Sequence, residues 1–273
     1  MSAITEKIEL LGKGIYQNIP NELTLSSIPT VSELDYVGSE DFESTMLEKI
    51  LPQAVTEKIN FKDLLEIDFQ WLCRCLRILN YGPYYTTNAV FCGECGSTSY
   101  GEYQVNLNAI ECKPLPEGFK NDMIISRDKF IDFDKDIHIK LPTIQDMMNA
   151  YKDKAFQTAS GKVNRSLARI CYMIKSIGGK DTLTPVEIKL ALLHDLSPAD
   201  YVLLKNEVES LSDYGLRAGG SIQCPKCGNT NAAFIALVDD RFFKPTVGDL
   251  RRWKHDRNKR SEENTATDSS TNV

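Results

Sequence analysis

Two short cysteine motifs constrain this chain more than anything else in it. Cys92-Gly93-Glu94-Cys95-Gly96 and Cys224-Pro225-Lys226-Cys227-Gly228 are both C-x-x-C-G. Two intervening residues let both sulfurs of a pair point at one ion. The glycine that follows permits the tight turn that aims backbone N–H groups at those sulfurs. Four soft ligands are what a tetrahedral zinc ion prefers. The doubled motif therefore predicts one structural Zn2+ per chain, bound by Cys92, Cys95, Cys224 and Cys227. A redox dithiol normally occurs once, beside a βαβ pattern that this sequence lacks. An iron–sulfur cluster also takes four cysteines, but nothing else here points to electron transfer. The bland alternative is two unrelated turns that happen to contain cysteine.

Simple ribbons separate their pairs by about twenty residues, whereas residues 96–223 intervene here. Closing so long a loop, if it were floppy, would cost about 4 kcal/mol. A structural zinc contributes roughly 10–16 kcal/mol in small peptides, so the site can still close. An insert that returns its own ends close together removes most of the cost. The expected fold is α+β: a split four-cysteine zinc ribbon of short antiparallel strands, bracketing an inserted helical bundle, with an N-terminal extended arm. The divisions fall at 1–38 (arm), 39–117 (helices and first half of the ribbon), 118–218 (inserted helical subdomain), 219–247 (second half) and 248–273 (basic helix and tail).

The chain has 273 residues, 42% apolar and 26% charged, enough for a buried core. No run of eighteen apolar residues predicts a membrane span. The first residues, MSAITEKIELLGKG, do not read as a signal peptide. A cytosolic setting is therefore expected, in which eight cysteines are not a disulfide framework. The net charge of −6 gives no basic footprint over the whole chain.

Local patterns fill in the elements. Leu23 and Leu25 alternate with polar neighbours in an extended, partly stranded arm. A helix is expected over 39–53, opened by Asp41 to Ser44 and ended by Pro52. Residues 61–79 suit a mostly buried helix, stopped by Asn80-Tyr81-Gly82-Pro83. Cys73 and Cys75 lie on different faces of it and read as small buried hydrophobes. A strand follows from about Tyr100 to Ile110, ended by Cys112, a core or spare thiol. Residues 141–213 read as helical. Thr143, Thr184 and Ser197 each stand three residues before a carboxylate, at Asp146, Glu187 and Asp200, which read as helix caps. Leu167, Ile170, Cys171, Ile174 and Ile177 follow a helical period up to Gly178-Gly179. Strand character returns at Gly219 and includes Phe234, Ile235 and Val238. The segment 248–260 is basic and expected to be helical, and 261–273 has nothing to bury.

No G-x-S-x-G, P-loop, G-x-G-x-x-G or H-E-x-x-H occurs. His138, His194 and His255 stand in unrelated contexts, and four cysteines leave a metal no open position. The chain is expected not to be an enzyme.

The arrangement resembles a known family. Leu11-x-Lys13-Gly14-Ile15-Tyr16 leads to Cys75-Leu76-Arg77-Ile78-Leu79-Asn80-Tyr81-Gly82 and then to Tyr84-Tyr85 before the first cysteine pair. Leu141-Pro142-Thr143-Ile144-Gln145-Asp146 follows, and Asp240-Arg241-Phe242-Phe243-Lys244-Pro245 closes the series. This is similar to the baseplate hub and hub-assembly proteins of T4-like and other large contractile-tailed bacteriophages, over roughly residues 8–245. The resemblance implies a structural or assembly role in the tail hub, with other hub or tail proteins and the tape-measure protein as candidate partners. It places the chain in host cytoplasm during assembly, or in the virion tail baseplate. The alternative is a nucleic-acid-binding zinc ribbon using Arg251, Arg252, Lys254, Arg257, Lys259 and Arg260, with Trp253 available to stack on bases. The same residues are candidates for docking a protein partner.

Overall fold

Leu23 and Leu25 set the register of the first hairpin. A computed structural model describes residues 4–29, 42–211, 214–216, 219–234 and 240–256. In it, β1 (Thr5–Glu9) pairs antiparallel with β2 (Glu22–Ser26), placing Ile8 opposite Leu23. Ile8, Leu23 and Leu25 are all buried. Through these residues the extended arm is fastened to the core over 4–29, because the apolar side of a two-stranded ribbon needs cover. The loop from Leu11 to Tyr16 closes around Asp68. Leu11 N–H donates to its carboxylate at 2.5 Å and Gly12 N–H at 3.2 Å, and the Tyr16 hydroxyl donates as well. Tyr16 in turn accepts from Leu65 N–H at 2.9 Å. Burial pushes the Asp68 carboxyl up from its ordinary value, and these donors pull against it. Residues 30–38 of the expected arm lie outside the described residues.

The next helical stretch is α1 (Phe42–Thr45), a π-turn (Met46–Ile50) and α2 (Leu51–Ala54). Pro52 does not end it. The π-turn lets Leu51 N–H bond back to Met46 O, and Pro52, in the first turn of α2, lacks an N–H that would have no partner there. The long helix α3 (Glu66–Tyr81) starts later than its apolar pattern suggests. Leu64 and Leu65 are held extended, since Leu64 O accepts from Ile144 N–H and Leu65 bridges Thr143. Phe69, Leu72, Cys73 and Leu76 then fill the core. Both cysteines of α3 are inert packing groups, and burial pushes the Cys75 thiol up to about 12.

Two further hairpins follow the same logic of short alternating strands. β3 (Tyr84–Phe91) pairs with β4 (Thr98–Asn106), with an irregularity between Thr87 and Ala89. Strand β5 (Cys112–Lys113) pairs antiparallel with β9 (Gly215–Leu216), Cys112 opposite Leu216 and Lys113 opposite Gly215. This two-residue clasp brings the ends of the insert together. Beyond it β10 (Gly219–Gln223) pairs with β11 (Thr230–Phe234). Strand β4 lies beside β10, and β3 beside β11. Ile235 and Val238, expected in this strand, lie outside the described residues. Phe242 and Phe243 return to the first core.

The insert has its own core, but it is not a helical bundle alone. A three-stranded antiparallel sheet, β6 (Met123–Ile125), β7 (Ile137–Ile139) and β8 (Ile174–Ile177), packs with α4 (Ile144–Lys152), α5 (Arg165–Met173), α6 (Pro185–Asp195) and α7 (Pro198–Ser210). Helix α5 stops at Met173, so the helical period read through Ile174 and Ile177 is broken. Ile174 sits opposite Ile139, and Ile177 opposite Ile137. β-Branched cross-strand pairs favour the strand there. The insert docks on the first turn of α3 through Arg169 and Glu66, 2.6 Å apart and largely buried.

Thr143 with Asp146 and Thr184 with Glu187 form complete capping boxes. Ser197 accepts from Asp200 N–H, but the buried Asp200 carboxylate reaches out of its helix. It accepts from Ile131 N–H at 2.6 Å and Asp132 N–H at 3.2 Å. Burial works against its charge, yet these donors and the Ser197 hydroxyl hold the carboxyl below its ordinary value. Its contribution to stability is therefore full above the unfolded aspartate pKa, about 3.9, and is lost as pH falls through the lower folded value. Asp200→Asn is expected to destabilise at pH 7 and to converge with wild type in acid-unfolding curves only below the ordinary aspartate range. No helix among the described residues is long and apolar enough to cross a membrane.

Candidate metal centre

The structure brings together the four cysteines that the sequence singles out. Each pair sits in the turn of its hairpin, Cys92 and Cys95 between β3 and β4, Cys224 and Cys227 between β10 and β11. The two turns are built alike. Cys92 N–H donates to Ser97 O and Gly96 N–H to Cys92 O, both at 2.9 Å. Cys224 N–H donates to Asn229 O and Gly228 N–H to Cys224 O, both at 2.8 Å. Gly96 and Gly228 have φ of 65° and 76°, the left-handed region in which a Cβ is strained. The equal spacing in sequence thus becomes an equal loop in space.

The four sulfurs all lie within 4.8 Å of one another. Across the two hairpins Cys92 Sγ is 3.6 Å from Cys227 Sγ, and Cys95 Sγ is 3.8 Å from Cys224 Sγ. These are not disulfides, whose sulfurs lie about 2.05 Å apart, and all eight cysteines are free. A tetrahedral ion with metal–sulfur bonds of about 2.3 Å has sulfur–sulfur edges of about 3.8 Å. The cluster fits a metal ion of that kind. Cys92 and Cys224 are buried and Cys95 and Cys227 exposed.

Backbone and hydroxyl donors already favour thiolates. Lys226 N–H points at Cys224 Sγ at 3.4 Å, and Cys95 N–H at Cys92 Sγ at 3.5 Å. The N–H groups of Cys227 and Lys226 pull the Cys224 thiol down to about 6. The Ser97 hydroxyl, 2.8 Å from Cys95 Sγ, lowers that thiol too. Cys227 goes the other way, up to about 12: Asn229 N–H favours its thiolate, but desolvation and the three neighbouring sulfurs outweigh it. Such crowding of sulfurs is relieved when a cation replaces the protons.

The basic candidates are placed differently. The helix α8 (residues 247–256) lies across the base of hairpin β3–β4. Asp249, 1% exposed, accepts from the Thr86 hydroxyl at 2.7 Å and Gln104 Nε2 at 3.0 Å. Arg252 stacks on the Tyr84 ring at 4.5 Å and donates to Gln104. Trp253 is half-buried and covers Gly82, whose φ is 80° and where an added Cβ would stand 2.3 Å from the indole. Arg251 and Lys254 are exposed, whereas Arg257, Lys259 and Arg260 lie outside the described residues. Gly82→Ala is expected to release α8 at a cost of about 2–3 kcal/mol. In a Trp71→Phe background, a red-shifted Trp253 emission reports the release.

The polar anchors that hold this end of the molecule lie in motifs that composition does not flag. Arg77 is fully buried. Its guanidinium donates to Phe242 O at 2.8 Å and to Gly82 O and Tyr84 O, each at 2.9 Å. An arginine amid the apolar residues of a buried helix is the sequence signal for such an anchor. Compared with known proteins, the chain matches no family model, no curated protein and no solved structure.

Proposed function

We propose that this chain is a zinc-stabilised protein-interaction scaffold that takes part in building the baseplate hub of a contractile phage tail. The observation that carries the structural half of this reading is the convergence of four cysteine sulfurs to within 4.8 Å of one another. Four protein ligands leave no open position for substrate, so the metal acts as a fastener. Zinc is preferred to iron because a closed, redox-silent thiolate site needs no electron path.

The phage half rests on the resemblance of the motifs in sequence, two of which also meet in space. The Leu11–Tyr16 segment closes on Asp68 of α3. The Arg77 to Tyr85 segment supplies Arg77, Gly82 and Tyr84, and the Phe242-Phe243 segment supplies the carbonyl that Arg77 holds. Tyr85 packs on Phe242 with ring centroids 5.7 Å apart. The Arg77 to Tyr85 and Phe242-Phe243 segments, far apart in sequence, thus pack against each other.

Mass spectrometry of purified virions beside infected-cell lysate tests the assignment. Presence in both marks a resident part, and presence in the lysate alone marks a transient assembly factor. Presence in neither rejects the phage reading. Elemental analysis of the purified chain is expected to give about one zinc per chain, and iron with the colour of a ferric thiolate would reject zinc.

A further inference from the structure

We propose that the face of hairpin β3–β4 beside the metal turn docks a partner polypeptide by receiving an arginine or lysine side chain on two exposed aromatic rings. Phe91 pairs with Thr98, and Ala89 with Tyr100. Paired and alternate residues share a face, so Phe91 and Tyr100 are diagonal neighbours on one side of the hairpin. Phe91 is 63% exposed and Tyr100 84%. Single exposed apolar residues are ordinary, but two adjacent rings make a platform. Between the pairs Thr87–Tyr103 and Ala89–Tyr100, β3 advances by two residues and β4 by three. The extra residue is thus on β4, and regular alternation along β3 puts Phe91 on the same side as Tyr85, which packs on Phe242 in the core. The platform is the core-facing side of the hairpin carried past the end of the core.

The charge around it selects the occupant. Glu94, in the metal turn, is exposed and has no ion-pair partner among the described residues. Four thiolates on a divalent ion leave that site with two net negative charges, a contribution that rests on the metal reading above. Lys226 is the opposing cation in the second turn. A negative field around aromatic faces repels a phosphate backbone and suits a cation lying over the rings. The chain's own basic run is a poor occupant. Helix α8 passes from Thr86 at Asp249 to Tyr84 at Asp256, so it heads away from Phe91.

The test is fluorescence anisotropy of a labelled short peptide carrying two arginines among apolar residues, against the same peptide with glutamines in their place. The metal-loaded full chain is used at low and moderate salt. Phe91→Ser and Tyr100→Ser are each expected to weaken binding about three- to fivefold, the scale of an exposed cation–π contact. Glu94→Gln is expected to weaken it about twofold at low salt and to flatten its salt dependence. A chain ending at residue 256 is expected to bind as the full chain does. Equal binding of the glutamine peptide, or no change in any variant, overturns the proposal. So does binding of a single-stranded oligonucleotide that is lost with Phe91 and Tyr100, which would make the platform a base-stacking surface. Elemental analysis of the same samples separates the two readings. A chain with one metal that ignores the peptide sinks the docking surface, and a metal-free chain that binds it sinks the metal.

Discussion

Replacing Cys224 by serine is expected to empty the metal site and open the ribbon while leaving most of the helix content in place. Cys224 is the buried member of its pair, and its sulfur takes the N–H of Lys226. A hydroxyl cannot supply the fourth soft ligand, and a three-thiolate site holds metal far less tightly. Metal content should fall from about one per chain to below about 0.2, and the ribbon should lose at least about 5 kcal/mol. A strong chelator acting on wild type should reproduce the change. Hydrogen exchange should then accelerate in β10, β11 and the ends of β3 and β4 that carry the turn, whereas α4 to α7, around their own core, should keep their protection. Cys112→Ser is the control: Cys112 lies in the β5–β9 clasp and outside the cluster, so metal content should not change.

The second large effect is expected at Arg77. Three of its acceptors are main-chain carbonyls from α3's end, β3 and the turn that carries Phe242. Arg77→Met keeps much of the volume but leaves those carbonyls without their donor in a dry site. The expected loss is about 3–5 kcal/mol, read as a lower midpoint in urea unfolding with the slope unchanged. Arg77→Lys should recover only part of it, since an ammonium group is a compact donor and cannot span three carbonyls as the planar guanidinium does.

The difference between what the residues announce and what they conceal follows range of interaction. The cysteine pairs are legible because a turn that points two sulfurs at one ion is a local object of five residues. The helix starts at Thr143, Thr184 and Ser197 are legible for the same reason. The helical period over Leu167 to Ile177 misleads at its end because Ile174 and Ile177 satisfy it by coincidence. Their strand partners, Ile139 and Ile137, lie far away in sequence. Pro52 misleads in a similar way, since its missing N–H is harmless after a π-turn that no local pattern signals. The opening residues read as an extended arm because nothing nearby shows that Leu23 and Leu25 meet α2 and α3. The docking of Trp253 and Arg252 on Gly82 and Tyr84 is equally non-local.

The β5–β9 clasp also bears on the order in which the chain matures. At about 5–20 residues per second, the ribosome releases Cys92 and Cys95 many seconds before Cys224 and Cys227. During that interval the first pair is half a site. The insert, whose buried core runs from Leu65 to Leu211 and so precedes Cys224 throughout, can condense first and draw Lys113 toward Gly215 as soon as the latter emerges. The second hairpin is then delivered beside the first, so the meeting of the four cysteines becomes the last, latch-like event of biosynthesis instead of a search across an open coil.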